Sequence, residues 1–551
     1  MSRPLAITLA FILGAALYLP SLSYGYVWDD RTLIAENRYL ADTREIGRNL
    51  TGDFFRRSTE PSQIGHWRPV VTATYMLDRA WGAGSPRAFH VTNVLLHGAA
   101  TALLALLAIS LGVPSAVALA AAALFATLPA HVESVAWISG RTDLLCGVFA
   151  LGALTIDARG GAAAWVALAT FLSVGSKEMA VAIPVATALR SLLLPRPHER
   201  RFRAAAAPLA AIVVYALLRF GVLGIVPRAP AAAEAGRMAL FWTWWSAFTE
   251  YVRVLVWPLE LSIVSPVALV TSAKALSVVL GLTLFGLTAF AAWRLRRRLP
   301  VVSFGLACFL ASLLPLVNFI VPVRAISSVA FPWAERFLFV PSIFLAVAAG
   351  GALAALSGRA RAFALVAVAV VASLFGARAL ARERVWSSQR SLFEAAVREH
   401  PEDGSARVNL GGALLDAGDA ARAEAELRRA LERNPSDPIA QYLLGNARRA
   451  QDDLPGAEAA YRRALETRPV YPQALINLGL TLAARGDLDG AAAAFQSADT
   501  QLGGAPETKV NLAIVMRLRG RQAEAAALYR EALALDPDFG PAREGLASLT
   551  P

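Results

Sequence analysis

Residues 88 to 109 read AFHVTNVLLHGAATALLALLAI, twenty-two residues without a formal charge. At about 1.5 Å of rise per residue, such a run crosses the hydrocarbon of a bilayer as a single helix. Its outer two turns carry His90, Asn93 and His97, spaced to share one helix face. The stretch therefore reads as a membrane span whose one end is polar.

Similar apolar stretches lie to either side, near residues 4–24, 114–131, 142–157, 161–175, 178–194, 204–225, 271–293, 300–322, 336–357 and 362–380, which makes eleven expected spans. A chain that is 56% hydrophobic and 17% charged over 551 residues lies outside the range of soluble domains. The first stretch follows Arg3 and no small-x-small cleavage site comes after it, so it reads as an uncleaved signal anchor. The aromatic segment Met238 to Pro258 carries Glu250, Arg253 and four tryptophans, a composition suited to the interface or to a re-entrant element. Cys146 and Cys308 both fall inside apolar stretches, which excludes a disulfide framework.

The net charge of +12 is explained by topology rather than by a nucleic-acid partner. Arginines cluster in short loops at Arg196, Arg200, Arg201 and Arg203, at Arg294 and Arg296 to Arg298, and at Arg359 and Arg361, which are expected to be cytoplasmic. With the N-terminus inside, eleven crossings leave the C-terminal tail outside. Arg378, Arg382 and Arg384 after the last span oppose this orientation.

On that orientation the remaining ionisable groups gather at the outer face. The loop 24–87 is too long for a connector and holds Trp28-Asp29-Asp30-Arg31 and His66-Trp67-Arg68-Pro69. Beside it come His90, Asn93 and His97, then Pro129 to Trp137 with His131 and Glu133, then Gly140-Arg141-Thr142-Asp143. Ser176-Lys177-Glu178 follows, and finally Arg324 and Ala334-Glu335-Arg336. Singly, such residues snorkel or neutralise one another at helix ends; together they are costly near hydrocarbon unless they pair around a wet cavity. A transporter would hold them near the midplane on broken helices in related repeats, and that pattern is absent. The histidines lack zinc-motif spacing, so no metal is expected.

Beyond about Arg382 the chain turns polar and Ala-rich, with a period of 34 residues. Leu410-Gly411, Leu444-Gly445, Leu478-Gly479 and Leu512-Ala513 are successive steps; Ala423, Ala457, Ala491 and Ala525 keep register, as do Leu427, Tyr461, Phe495 and Tyr529. That period and pattern are those of tetratricopeptide repeats: paired helices that cross at small residues, pack large ones beside them and close on proline. The expected organisation is all-α: a polytopic membrane domain over 1–385, a half repeat over 386–403, and a soluble α-solenoid over 404–551. Its units are 404–437, 438–471, 472–505 and 506–539, with a cap at 540–551. Asn409, Asn477 and Asn511 share one repeat position, where amides either hold an extended peptide or pack within the array.

In this order, Val27-Trp28-Asp29-Asp30-Arg31, Trp67-Arg68-Pro69, Phe89-His90 with Asn93 and His97, His131 with Glu133, Gly140-Arg141-Thr142-Asp143, Ser176-Lys177-Glu178 and Ala334-Glu335-Arg336-Phe337-Leu338-Phe339 resemble the transmembrane and tetratricopeptide-repeat (TMTC) O-mannosyltransferases of the GT-C superfamily. Leu128 departs from a histidine usual in that family, and Phe337 and Phe339 from tyrosines. The resemblance implies a GT-C-like membrane domain in a bacterial inner membrane, with site and repeats on the periplasmic side. It implies a polyprenyl-phosphate sugar, mannose in the first instance, as donor substrate, with no separate cofactor, and a protein serine or threonine as acceptor.

Such a transfer needs a carboxylate to take the hydroxyl proton and cations to hold the departing phosphate. The resemblance makes one of the two aspartates of the first loop the base; Asp30 is favoured, with Asp29 then orienting the acceptor or its partner, and Arg336, Arg141 and Lys177 are the candidates for holding the phosphate. Glu335 is expected to position Arg336. His131, Glu133, Asp143, Glu178, His66, Arg68, His90, Asn93 and His97 are expected in support. Two other readings stay open: transfer to a lipid or glycan, and a non-catalytic repeat scaffold anchored in the membrane.

Overall fold

The computed structural model describes residues 1–40, 42–54, 65–195, 203–226, 237–263, 269–313 and 333–549. They form two compact units, Met1–Leu392 and Phe393–Pro551. All regular structure among them is helical.

In the first unit every expected span overlaps a helix, but fewer are full crossings. Five are long and apolar enough by themselves: Pro86–Ser110, Ala204–Val222, Leu276–Leu295, Glu335–Ala355 and Gly358–Ser387. A sixth is the bent pair Ser115–Thr127 and Pro129–Ala136, which meet at 55°. Arg3–Ala16, Ala163–Val174 and Pro300–Leu313 are apolar but shorter. The expected span 300–322 runs on into residues outside those described, where Arg196, Arg200, Arg201 and Arg324 also lie.

The apolar runs are cut by extended residues. Leu128 (φ −61°, ψ 118°) breaks the helix before Pro129, and Lys177 (φ −161°, ψ 145°) breaks the chain between Ala163–Val174 and Ile183–Leu193. A proline's missing N–H and an extended residue both end helical pairing, so backbone leaves the helices where charged side chains emerge. Arg237–Val256, expected at the interface or re-entrant, is a continuous helix that buries Trp244, Phe248 and Tyr251, the first two against Phe285.

Arg3–Ala16 lies along Pro86–Ser110 at small residues. A Cβ on Gly14 would strike Thr101 Oγ1, and one on Gly98 would come within 3.0 Å of the Phe11 carbonyl. Close helix approach in a bilayer rests on such small residues, since lipid supplies no hydrophobic drive between helices.

The second unit is a regular array. Its first helices begin at Gly404, Pro438, Pro472 and Pro506, and their partners at Ala420, Leu454, Leu488 and Gln522. A Cβ on Gly411, Gly445 or Gly479 would enter Leu427, the Tyr461 ring or the Phe495 ring, which is the small-against-large crossing read from the period. Asp403, Asp419, Asp437, Asp453 and Asp487 cap five helices by accepting backbone N–H bonds. The last pair lacks such a side-chain cap at Ala505 and Arg521.

Candidate active site

The segment from Pro129 to Gly140 folds back on the helix Pro86–Ser110 because Asn93 donates to the carbonyls of Val135 and Trp137 at 3.2 Å and of Ile138 at 3.3 Å. Gly140 permits the fold-back: a Cβ there would come within 2.6 Å of the Glu133 carbonyl and 2.7 Å of the Ser134 carbonyl. Helix Arg141–Ala158 starts at this turn.

Arg141 has a different role from the phosphate contact expected of it. It is wholly buried, its Nε donates to Asn93 Oδ1 (2.8 Å), its NH2 to the Phe89 carbonyl (2.7 Å), and its NH1 pairs with Asp78 Oδ2 (2.5 Å). The Tyr75 ring lies 4.9 Å beneath it. A guanidinium with each nitrogen engaged inside the fold ties elements together and is spent as a ligand for phosphate.

The two aspartates of the first loop differ sharply. Asp30 is fully buried and accepts from Ser139 N–H (2.9 Å), Ser139 Oγ (2.6 Å) and Val27 N–H (3.2 Å). Burial outweighs those donors and pushes its carboxyl up to about 7. Asp29 is only half-buried. It follows Trp28, which sits in the left-handed region at φ 54°, donates its N–H to Gln389 Oε1 (2.6 Å) and stacks on Trp137 at 5.4 Å. A non-glycine residue held there stores on the order of 1 kcal/mol of strain, which its surroundings must hold in place.

Arg336 stands opposite. Glu133 takes its backbone N–H (2.9 Å) and pairs with its guanidinium, while the rings of Trp137 and Phe337 each lie 5.2 Å from it. Asp29 and Asp143 both act electrostatically on Arg336. Lys177 is buried against both oxygens of Asp143 (2.5 and 2.7 Å) and lies 4.6 Å over the Phe337 ring. The aromatic ring at 337 thus serves two cations without a tyrosine hydroxyl. Glu335 does not hold its neighbour: its Oε1 accepts from Ser262 N–H (2.5 Å) and pairs with Arg382 (3.5 Å). Adjacent residues in a helical turn point different ways, so Glu133, about two hundred residues away in sequence, does that work instead.

A third charged group adjoins. Glu178 faces Arg219 NH1 at 3.1 Å, His66 Nδ1 at 3.4 Å and Arg68 NH2 at 3.6 Å. Burial, then the Arg68 charge, pulls His66 below its ordinary range, so its imidazole stays neutral. Neither Arg219 nor Asp78 belongs to a motif that singles it out. Arg219 is a charge inside an apolar run, and that costly placement is the signal the sequence carries, whereas Asp78 beside Arg79 in the first loop carries none.

His90, His97 and His131 are packed against rings. His97 Nδ1 lies 2.9 Å from the Gly14 carbonyl, its ring edge-on to His131 at 5.8 Å; His131 Nε2 lies 2.8 Å from Ser342 Oγ, and Phe339 packs on His131 at 4.7 Å. His90 is buried with its ring edge-on to Tyr24. Among the described residues no three His, Cys, Asp or Glu side chains are gathered as for a metal ion.

In the array, Asn477 donates to Asn446 Oδ1 (2.8 Å) and to the Tyr442 hydroxyl (3.3 Å), whereas Asn409 is exposed and Asn511 half-buried. The three share a register but not an environment.

Tetratricopeptide-repeat models match residues 390–447, 442–506 and 507–535. The protein O-mannosyl-transferase Tmtc1 of Drosophila melanogaster is 26% identical over 525 residues, covering 76% of this chain and 60% of that protein. A Caenorhabditis elegans protein O-mannosyl-transferase is 26% identical over 446 residues, covering 75% and 61%. Over about three quarters of its length the chain is similar to TMTC-family protein O-mannosyl-transferases. It spans about three fifths of the length of these TMTC relatives. A thermophilic tetratricopeptide-repeat protein of Thermus thermophilus is 27% identical over 31% of this chain and 92% of its own, with a TM-score of 0.26.

Proposed function

We propose that the first unit is an inverting membrane glycosyltransferase that moves a sugar, mannose by family resemblance, from a polyprenyl-phosphate donor to a serine or threonine hydroxyl of an extracytoplasmic protein. The observation that carries this reading is a half-buried carboxylate, Asp29, acting on the cation Arg336, with a second cation, Lys177, over the same Phe337 ring as Arg336 and each cation backed by its own buried carboxylate.

Asp29 is the base. As the acceptor oxygen attacks the anomeric carbon, its proton passes to the Asp29 carboxylate, and the bond from that carbon to the phosphate oxygen breaks. The lipid phosphate leaves as an anion toward Arg336 and Lys177, so no acid has to protonate it. Asp30, with three donors on its two oxygens, positions the loop by gripping Ser139. This reverses the order expected from the sequence, because a buried, saturated carboxylate has no approach to an acceptor.

The shorter apolar helices complete the crossings in this reading, and the arginine loops set them with the site outside. The repeats bind the acceptor polypeptide.

The test is transfer from a panel of polyprenyl-phosphate sugars by the purified protein. Asp29→Asn is expected to lose roughly 10²- to 10⁴-fold of the rate, the usual worth of a general base, with folding intact. Undiminished transfer in both Asp29→Asn and Asp30→Asn would remove the site assignment, and no transfer from any donor would leave the scaffold reading. Mass spectrometry of extracytoplasmic proteins with and without the gene separates acceptors: a hexose missing from serine or threonine supports the protein, an unchanged proteome the lipid or glycan.

A further inference from the structure

Charge is matched one to one at Arg336 and at Lys177 and not at Glu178. Arg336 has Glu133 and Lys177 has Asp143, but Arg68 and Arg219 share Glu178. The local chain geometry brings these two arginines together. Arg219 lies in the terminal turn Leu217–Val222 of the apolar helix Ala204–Val222 and donates to the Gly65 carbonyl at 2.6 Å. One helical turn earlier, Tyr215 stacks on Trp67 at 5.0 Å and donates to the Trp67 carbonyl at 2.8 Å. The stretch Gly65 to Arg68 is thereby stitched to the helix end. Phe54 lies 5.6 Å from the Arg68 guanidinium on the other side.

The side chains of Arg68 and Arg219 retain only 13% and 5% of their exposure, while Glu178 retains 38%. The Nε of each arginine is buried with no hydrogen-bond partner among the described residues. Among the described residues, two buried guanidiniums facing one carboxylate leave one positive charge in excess, and a buried charge without a counter-charge is costly unless an anion offsets it. Glu178 directly follows Lys177 in the chain, so the excess adjoins the proposed transfer site.

We propose that Arg68 and Arg219 form a seat for a phosphate group, with Glu178 as the carboxylate that holds the pair in place until the anion arrives. The proposal rests on the glycosyltransferase reading for the origin of the phosphate, a polyprenyl phosphate. In that setting the donor's diester carries one negative charge and the departing monoester more, so a seat with surplus positive charge binds the leaving group more tightly than the donor. An interaction that strengthens as the reaction proceeds lowers the barrier rather than the KM.

The experiment uses the full chain in lipid nanodiscs, titrated with polyprenyl monophosphate, with inorganic phosphate and with uncharged polyprenol. Arg219→Gln and Arg68→Gln are expected to weaken polyprenyl monophosphate binding about tenfold or more, the worth of a charge-assisted hydrogen bond, and to leave polyprenol unchanged. Glu178→Gln is expected to tighten it, because the variant raises the surplus charge. Arg219→Lys keeps the charge and is expected to stay within a few-fold of the parent. Equal affinities across the variants overturn the seat, as does weakening in Glu178→Gln alongside the arginine variants, which marks a purely structural cluster. Binding of inorganic phosphate alone, lost in the arginine variants, supports the seat and removes the lipid-donor reading. Loss of transfer in Asp29→Asn with phosphate binding unchanged keeps the two questions apart.

Discussion

The two units solve opposite problems with the same kind of helix. In the array each unit repeats one contact, a small residue against a large side chain, at Gly411 and Leu427, Gly445 and Tyr461, and Gly479 and Phe495. In the membrane unit buried charges meet partners far away in sequence that no period repeats, as Glu133 meets Arg336 and Arg141 meets Asp78. A local rule survives most single changes, because neighbouring units restate it. A set of unique pairs does not.

The largest effect is expected from Arg141→Met, which strands Asp78 and the Asn93 amide. A cost of about 3–5 kcal/mol is expected, as for other broken buried pairs, read as loss of folded protein in detergent. Arg141→Lys is not expected to rescue it, since one ammonium cannot reproduce the planar fork that meets three groups at once. A mild phenotype in Arg141→Met would erase the contrast between the two units.

A second test uses pH. Asp30 binds a proton in the folded unit up to about 7, whereas its ordinary value is 3.8, so between those values the folded state holds a proton that the unfolded chain has released. Stability of the membrane unit is therefore expected to fall as pH rises through this window, by at most about tenfold in the folding equilibrium per pH unit, and to level off above it. Thermal melts of Asp30→Asn should lack that slope.

Smaller effects are expected in the array. Gly445→Val should drive a branched side chain into the Tyr461 ring and cost about 1–3 kcal/mol, seen as a lower Tm. Gly445→Ala should cost far less, because the last unit already carries Ala513 at that register position, with Tyr529 in the ring's place. Asp487→Ala removes the bond to the Gly490 N–H and should cost about 1 kcal/mol, whereas Arg521→Ala, at a position with no side-chain cap, should cost almost nothing.

The same contrast governs what is legible in the sequence. The array's helix starts follow from its period, since register, crossing residues and closing prolines all recur. The apolar stretches mark the helices of the membrane unit, but not their ends. Leu128 sits in extended backbone that hydropathy does not register, so one expected stretch is a bent pair, while Arg3–Ala16, Ala163–Val174 and Pro300–Leu313 fall short of crossing length among the described residues. At the candidate site the motifs point to Asp29, Asp30, Glu133 and Arg336, but pairings across the fold carry no mark in the sequence. Adjacency suggests Glu335 as the partner of Arg336, yet Glu133 fills that place, and Arg219 shows no purpose in its apolar run until Gly65 and Glu178 stand beside it.

Trp28, Trp137 and Trp386 form a file of near-parallel indoles with centroids 5.4 and 5.9 Å apart, and the Arg336 guanidinium lies 5.2 Å from the middle ring. Indoles so close share their excited states, and a cation on one face tunes the emission of the set. An anion that draws Arg336 away would change the protein's own fluorescence, so occupancy beside Asp29 can be followed by light without a label.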